Sequence, residues 1–226
     1  MAVHYEEFRL YDPSIIGKVV GRWPFATVMA NGAEWPAVAH TPLVFKEPAG
    51  DGQLGAVEFH LARANPAFAD FLPGKPVTLS LLGPSTHVSP SWYVGRFPSA
   101  DSDRSRTAPT WNYLNLTLRG RLSLLSDTQL AEHLADLVAQ SEGDAGWRIA
   151  EIDQQFFVGL RNHITGFRVE VEAFDCVSKF NQDKSALDRS GVIDGLRRRG
   201  GDQDASVADF METLASLEES GQATAD

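Results

Sequence analysis

The residues best suited to chemistry fall into three short segments. Phe59-His60-Leu61-Ala62-Arg63-Ala64-Asn65-Pro66 sets an imidazole and, three residues later, a guanidinium at what reads as a strand end. Gly83 to Tyr93 gathers the hydroxyls of Ser85, Thr86, Ser89 and Ser91, the imidazole of His87, and the aromatics Trp92 and Tyr93. Ala108 to Tyr113 adds Trp111, Asn112 and Tyr113. Flat apolar surfaces beside hydroxyl, Arg and Asn donors suit a planar, anionic cofactor, whose rings stack on aromatics while its charged end collects donors. A structural role fits the same residues, with aromatics closing a barrel and Ser-Pro pairs making turns. Glu58 alternates with His60 along the strand and so shares its face; it reads either as a proton acceptor or as an exposed strand carboxylate.

Hairpins interrupted by helices must position these groups. Asp12-Pro13 reads as a helix N-cap with proline at the first helical position, followed by Ile15, Ile16, Val19 and Val20 at helical spacing. Phe25 to Ala30 is a strand, Asn31-Gly32 a hairpin turn, and Trp35 to Phe45 the returning partner. A Gly-rich turn from Ala49 to Gly52 leads to a third strand ending near His60, and Asn65-Pro66 opens a short turn carrying Phe68 and Phe71. Val77 to Leu82 is a fourth strand. Pro84 to Pro109 reads as a long polar loop, and loops of that length in compact domains are usually functional or disordered.

Trp111 to Leu124 alternates Tyr113, Asn115, Thr117 and Arg119 against Leu114, Leu116 and Leu118, the period of a strand. Ser126-Asp127-Thr128-Gln129 is a capping box opening a helix with Leu130, Leu134 and Leu137 on one face. Ile164 to Phe174 is the final strand; helices follow over Ser185–Arg199 and Ala205–Leu217, and the last residues are expected to be disordered. The pattern predicts a mainly β protein, an antiparallel barrel with helical additions. Residues 1–200 form the cofactor-binding domain on this reading, and 201–226 a C-terminal helix and acidic tail.

Composition excludes several functions. Thirty acidic against twenty basic side chains give a formal charge of −10, and a surface of that sign repels phosphate backbones. The basic run Arg197-Arg198-Arg199, followed by Gly200-Gly201, fits a helix C-terminus favoured by the macrodipole. Nucleic-acid binding by this chain alone is not expected. A lone cysteine, Cys176, permits no disulfide framework and no Cys-rich metal site. No stretch approaches the roughly 20 apolar residues of a membrane span, and no basic, apolar leader opens the sequence, so a soluble cytoplasmic protein is expected. No Gly-x-Gly-x-x-Gly follows a strand, so no dinucleotide fingerprint is present.

Five ordered segments resemble the PaiB family of FMN-binding negative transcriptional regulators: Ala39-His40-Thr41-Pro42, His60 to Pro66, Val88 to Tyr93, Pro109 to Tyr113, and the late Lys179-Phe180-Asn181-Gln182-Asp183. The resemblance runs from about residue 5 to 200. It implies a split β-barrel that forms a homodimer, with cofactor sites near the dimer interface. In its flavin form it implies that Arg63 and the hydroxyl and backbone donors around Ser89 and Ser91 hold the FMN phosphate, with aromatics such as Trp92 and Trp111 bordering the ring.

The sequence also departs from the flavin-type pattern, with His87 where an aromatic is usual, Phe59 in place of Gly before His60, and Asn181 and Asp183 in the late motif. Within the family it is similar to the haem-dependent piperazate synthases, which close a nitrogen–nitrogen bond in N5-hydroxy-L-ornithine to give L-piperazic acid and water. That resemblance implies haem b as cofactor, His60 as axial iron ligand, Arg63 as anchor for a propionate or the substrate carboxylate, and Glu58 or His87 for proton transfer. Ferric haem would act as a Lewis acid at the N–O group while the α-amine attacks N5. An FMN-binding regulator or flavin-dependent oxidoreductase is the alternative, and a cofactor-free interaction module a third class. His4, His133 and His163 read as structural or solvated; Lys179 and Lys184 are within reach of an anionic ligand, although helix surfaces carry such lysines routinely.

Overall fold

A computed structural model of the chain describes residues 5–143 and 145–219; His4 and the final residues, where disorder is expected, lie outside them. The strands are β1 (Arg9–Leu10), β2 (Phe25–Ala30), β3 (Ala37–Pro42), β4 (Val44–Lys46), β5 (Ala56–Ala62), β6 (Pro76–Val88), β7 (Thr110–Leu124) and β8 (Ile164–Lys179). The helices are α1 (Ile15–Arg22), α2 (Asp127–Glu142), α3 (Gln154–Arg161), α4 (Ala186–Arg199) and α5 (Asp204–Glu219). Hydrogen bonds link the strands in the order β3-β2-β6-β7-β8-β5-β4, with β1 added to β8. Hairpin connections make the β2–β3 and β4–β5 pairs antiparallel, and the β2–β6, β5–β8 and β1–β8 pairs share that sense.

The chain forms two compact units. The first comprises Met1–Asp12, Leu82–Asn115 and Cys176–Asp226, the second Pro13–Leu81 and Leu116–Asp175, and β6, β7 and β8 each contribute to both. In the second unit alternation buries Ala26 and Val28 of β2, Leu79 and Leu81 of β6, and Leu116 and Leu118 of β7. β5 is buried on both faces through Val57, Glu58, Phe59 and Leu61, and Phe59 stacks on Phe167 of β8 with centroids 5.3 Å apart. In the first unit Val192 and Leu196 of α4, Val207 and Met211 of α5, and Phe180 fill the core, where Phe180 meets Phe210 at 4.5 Å.

Several boundaries differ from those the sequence suggests. The strand expected over Trp35 to Phe45 is broken at Leu43: β3 stays with β2, while β4 pairs with β5. Pro36 and Pro42 bracket β3 and lack the N–H a continuing ladder needs, and the Leu43 N–H instead donates to the Pro24 carbonyl. The β2–β3 connection therefore spans residues 31–36 instead of a two-residue Asn31-Gly32 turn. α1 has Ser14, not Asp12, at its N-cap.

β6 runs on through Gly83-Pro84, a pair that ordinarily reads as a turn, and ends at Val88, so the loop expected from Pro84 begins only at Ser89. Alternation persists there, with Thr86 and Val88 buried and Ser85 and His87 less so. β8 continues past Phe174 to Lys179, placing Lys179 on a strand and not on a helix. α3, capped by Asp153 accepting from the Phe156 N–H, has no counterpart in the sequence reading. Among the described residues no helix is long and apolar enough to cross a membrane.

Candidate functional site

In the second unit β5 carries Glu58, His60 and, just past its end, Arg63. Antiparallel register sets Glu58 opposite Arg168 of β8 and His60 opposite Gly166. Gly166 has a steric reason: a Cβ there would lie 2.9 Å from Cδ1 of Leu125 and 3.0 Å from Cδ1 of Leu130. Its bare backbone lets the start of α2 come down onto β8. The capping box fixes that start, with Ser126 accepting from the Gln129 N–H and the Gln129 side chain accepting from the Ser126 N–H. Leu130 is the first buried residue of α2, and His133, one turn on, is fully buried against His60.

The His60 Nδ1 and His133 Nε2 atoms lie 3.1 Å apart, so one must donate and the other accept. Glu58 favours one of the two arrangements. His133 Nδ1 has no hydrogen-bond partner but stands 4.0 Å from Oε2 of Glu58. A proton on Nδ1 is attracted to that carboxylate, whereas a lone pair there would be repelled. In that tautomer His133 Nε2 accepts from His60 Nδ1–H, although the Lys46 ammonium beside the same Glu58 oxygen opposes the proton on His133. This leaves His60 Nε2 as an unprotonated nitrogen without a partner among the described residues. Burial holds both imidazoles toward the neutral form, pushing His133 down to about 4 with help from His60 and Lys46, and lowering His60 as well.

Glu58 is neither exposed nor free: it is 4% exposed, accepts from Arg168 Nη1 at 3.0 Å, and lies 3.5 Å from Lys46 Nζ, which also pairs with Asp136. The expected exposed carboxylate is corrected to a buried, ion-paired one, because β5 is covered on both faces. Arg63 is exposed; its Nε donates to Thr165 Oγ1 at 3.2 Å, and its terminal nitrogens are unpaired among the described residues. His40 is exposed on β3 and stacks on Phe25 at 6.4 Å.

In the first unit the other expected site residues take up different partners. Ser89 caps a single turn over Pro90–Trp92, accepting from the Ser91 N–H, and the two hydroxyls bond at 2.6 Å. Trp92 lies under the Arg199 guanidinium at 5.0 Å and against α4, where Gly195 leaves room for the indole. His87 Nδ1 is 3.0 Å from Arg199 Nη1, on strand β6 and not in a loop. Arg199 also pairs with the buried Asp204 and holds its carboxyl far below the usual range. Trp111 stands 57% exposed at the start of β7.

From the sequence His133 reads as structural or solvated, and Lys46 and Arg168 attract no notice. For His133 a signal existed, since it falls three residues after Leu130 and four before Leu137, on the apolar stripe. Lys46 and Arg168 carry none, because their partner Glu58 is reached only through strand register.

Antiparallel strands in this order, with helical additions, make a mainly β protein of the split-barrel class. Residues 4–173 match the family described as "Putative FMN-binding domain", and the chain belongs to it. It is 24% identical over 207 residues to protease synthase and sporulation protein PAI 2 of Bacillus subtilis, covering 91% of this chain and 94% of that protein. Two solved structures share the fold. The flavocytochrome Anf3 of Azotobacter vinelandii superposes with TM-score 0.55 at 17% identity, covering 79% of this chain and 72% of that one. The FAD and haem binding protein of Mycobacterium smegmatis gives 0.56 at 13% identity, covering 80% and 78%.

Proposed function

We propose that the protein binds FMN, with the phosphate held at the end of β5 by Arg63. The observation that carries this reading is the Arg63 guanidinium, oriented through Nε by Thr165 while its terminal N–H groups remain unpaired among the described residues. A planar fork of that kind matches a phosphate in bidentate fashion. Membership of an FMN-binding family and the flavin-binding relatives of the same fold support it. Bound flavin would supply one- or two-electron transfer. Mixing the protein with FMN should quench flavin fluorescence at one equivalent per chain. Arg63→Ala should weaken binding by about tenfold or more, the scale of a lost charge-assisted hydrogen bond. Unquenched FMN at high protein concentration would overturn the reading.

One feature favours a second reading, haem b on His60. A metal-binding imidazole typically donates its other ring N–H to a fixed acceptor, and His60 Nδ1 lies 3.1 Å from His133 Nε2, where it would find one. His60 Nε2 would hold the iron, and Arg63 would hold a propionate. The N–N cyclisation of N5-hydroxyornithine follows only on this reading. Reconstitution with hemin separates the two: a Soret band that His60→Ala abolishes supports haem, while a flavin spectrum with no hemin uptake rejects it.

A further inference from the structure

The first unit contains a pocket of about 370 Å³ into which Arg96, Arg106, Lys179 and Lys184 all project. Only Glu7 and Asp183 oppose them, leaving an excess of two positive charges in a chain whose formal charge is −10. Lys184 is spoken for by Asp183. Arg96 lies on the Phe97 ring at 5.4 Å, and no carboxylate pairs with Arg96, Arg106 or Lys179 among the described residues. Lys179 Nζ donates to Thr110 Oγ1 at 2.7 Å and lies 5.8 Å from the Phe8 ring centroid. Its position is costly: burial lowers its pKa despite the nearby Asp183. In an acidic protein, cations left unpaired around one cavity ask for an anion.

The backbone beneath the pocket is specially held. Asn181 has φ 61°, the one positive φ of a non-glycine among the described residues. That conformation costs about 1 kcal/mol or more and persists only when its surroundings impose it. Asn112 Nδ2 donates to Asn181 Oδ1 at 2.7 Å, and Asn181 Nδ2 donates to the Tyr93 hydroxyl at 3.1 Å, all three side chains being buried. This tether fixes the turn that follows Lys179 at the end of β8 and carries Lys184, and it joins Pro109 to Tyr113, Val88 to Tyr93 and the late Lys179 segment at one place. Phe8 and Tyr93 line the same cavity.

We propose that this pocket binds a small phosphate monoester carrying a flat or apolar group, distinct from the flavin. A phosphate monoester bears close to two negative charges near neutral pH and offers three acceptor oxygens, matching the excess charge and the Arg, Lys and Thr donors. The aromatic wall takes the organic part. The cavity thus serves a second ligand, a substrate or effector.

Calorimetric titration of the full chain with phenyl phosphate tests this, with inorganic phosphate as the reference and each run repeated in saturating FMN. Phenyl phosphate should bind at one site per chain, at least fivefold more tightly than inorganic phosphate, whether or not FMN is present. Lys179→Met and Arg106→Ala should each weaken it about tenfold, while Arg22→Ala, on α1, should leave it unchanged. Equal binding by the exposed-site variant Arg106→Ala and the wild type would overturn the proposal. So would loss of phenyl phosphate binding on FMN saturation, since the pocket would then be the flavin's own phosphate grip. Phosphate uptake retained in a protein that ignores FMN would sustain this site and sink the flavin reading alone.

Discussion

His133 cannot take up a proton without disturbing its neighbours, because its imidazole is fully buried, faces a second imidazole and lies near the Lys46 ammonium. Its pKa is pushed down to about 4 in the folded protein, against 6.5 for an ordinary histidine. As pH falls below 6.5 the unfolded chain binds the proton first, so stability is intact above that point and drains away between pH 6.5 and 4. The expected loss is about 2 kcal/mol by pH 5, at 1.36 kcal/mol per pH unit. Urea unfolding at pH 7 and pH 5 reads it: the wild-type midpoint should fall markedly, and that of His133→Gln should fall less. Parallel shifts would show that His133 is not the group responsible. At this scale the sequence exposed His60 and Arg63, which sit at a recognisable strand end. It concealed the tautomer of His60, which depends on a histidine 73 residues away and a carboxylate placed by β-register.

α4 meets the Ser89–Trp92 turn through glycines one turn apart. A Cβ on Gly195 would lie 2.3 Å from the Trp92 ring, and one on Gly191 would lie 2.3 Å from the Trp92 carbonyl oxygen. Neither backbone can yield easily, since Asp188 on the same helix accepts from the Gly95 and Arg96 N–H groups at 2.8 and 2.9 Å. Gly195→Ala should therefore cost about 1–3 kcal/mol by overpacking, although alanine is the better helix former. Thermal unfolding checks it, and a variant as stable as wild type would mean the indole moves aside freely. Ser126→Ala, which removes one half of the capping box, should cost about 1 kcal/mol. The two substitutions mark the limits of reading elements from sequence. Ser126 with Gln129 announces its helix locally, and the alternation of β7 is equally plain. The two glycines of α4 look like defects until Trp92 is placed against them, and the Gly83-Pro84 pair hides a strand that continues.

Across the molecule, charge and exposed apolar surface point to different partners. A formal charge of −10 opposes association with a nucleic-acid backbone, and the basic run near Arg199 is largely absorbed by Asp204, Asp209 and Glu212. The β2–β3 hairpin of the second unit offers the opposite chemistry. β3 ends the hydrogen-bonded order of strands, and Trp35, Phe25 and Val38 beside it are 78%, 65% and 44% exposed. Antiparallel register brings Val38 opposite Met29 and Phe25 opposite Pro42, so the apolar residues share one face of the pair. An uncovered edge carrying large apolar side chains invites association, and a second copy of the chain, meeting it through the same surface, closes such a contact symmetrically. The protein should therefore run in light scattering at about 49 kDa, twice the 24.7 kDa of one chain. Trp35→Glu combined with Val38→Asp should return it to the single-chain mass while preserving far-ultraviolet circular dichroism, because both side chains point away from the core. A wild-type protein that stays at 24.7 kDa at high concentration would remove the homodimer from this hairpin and leave its aromatics to another partner.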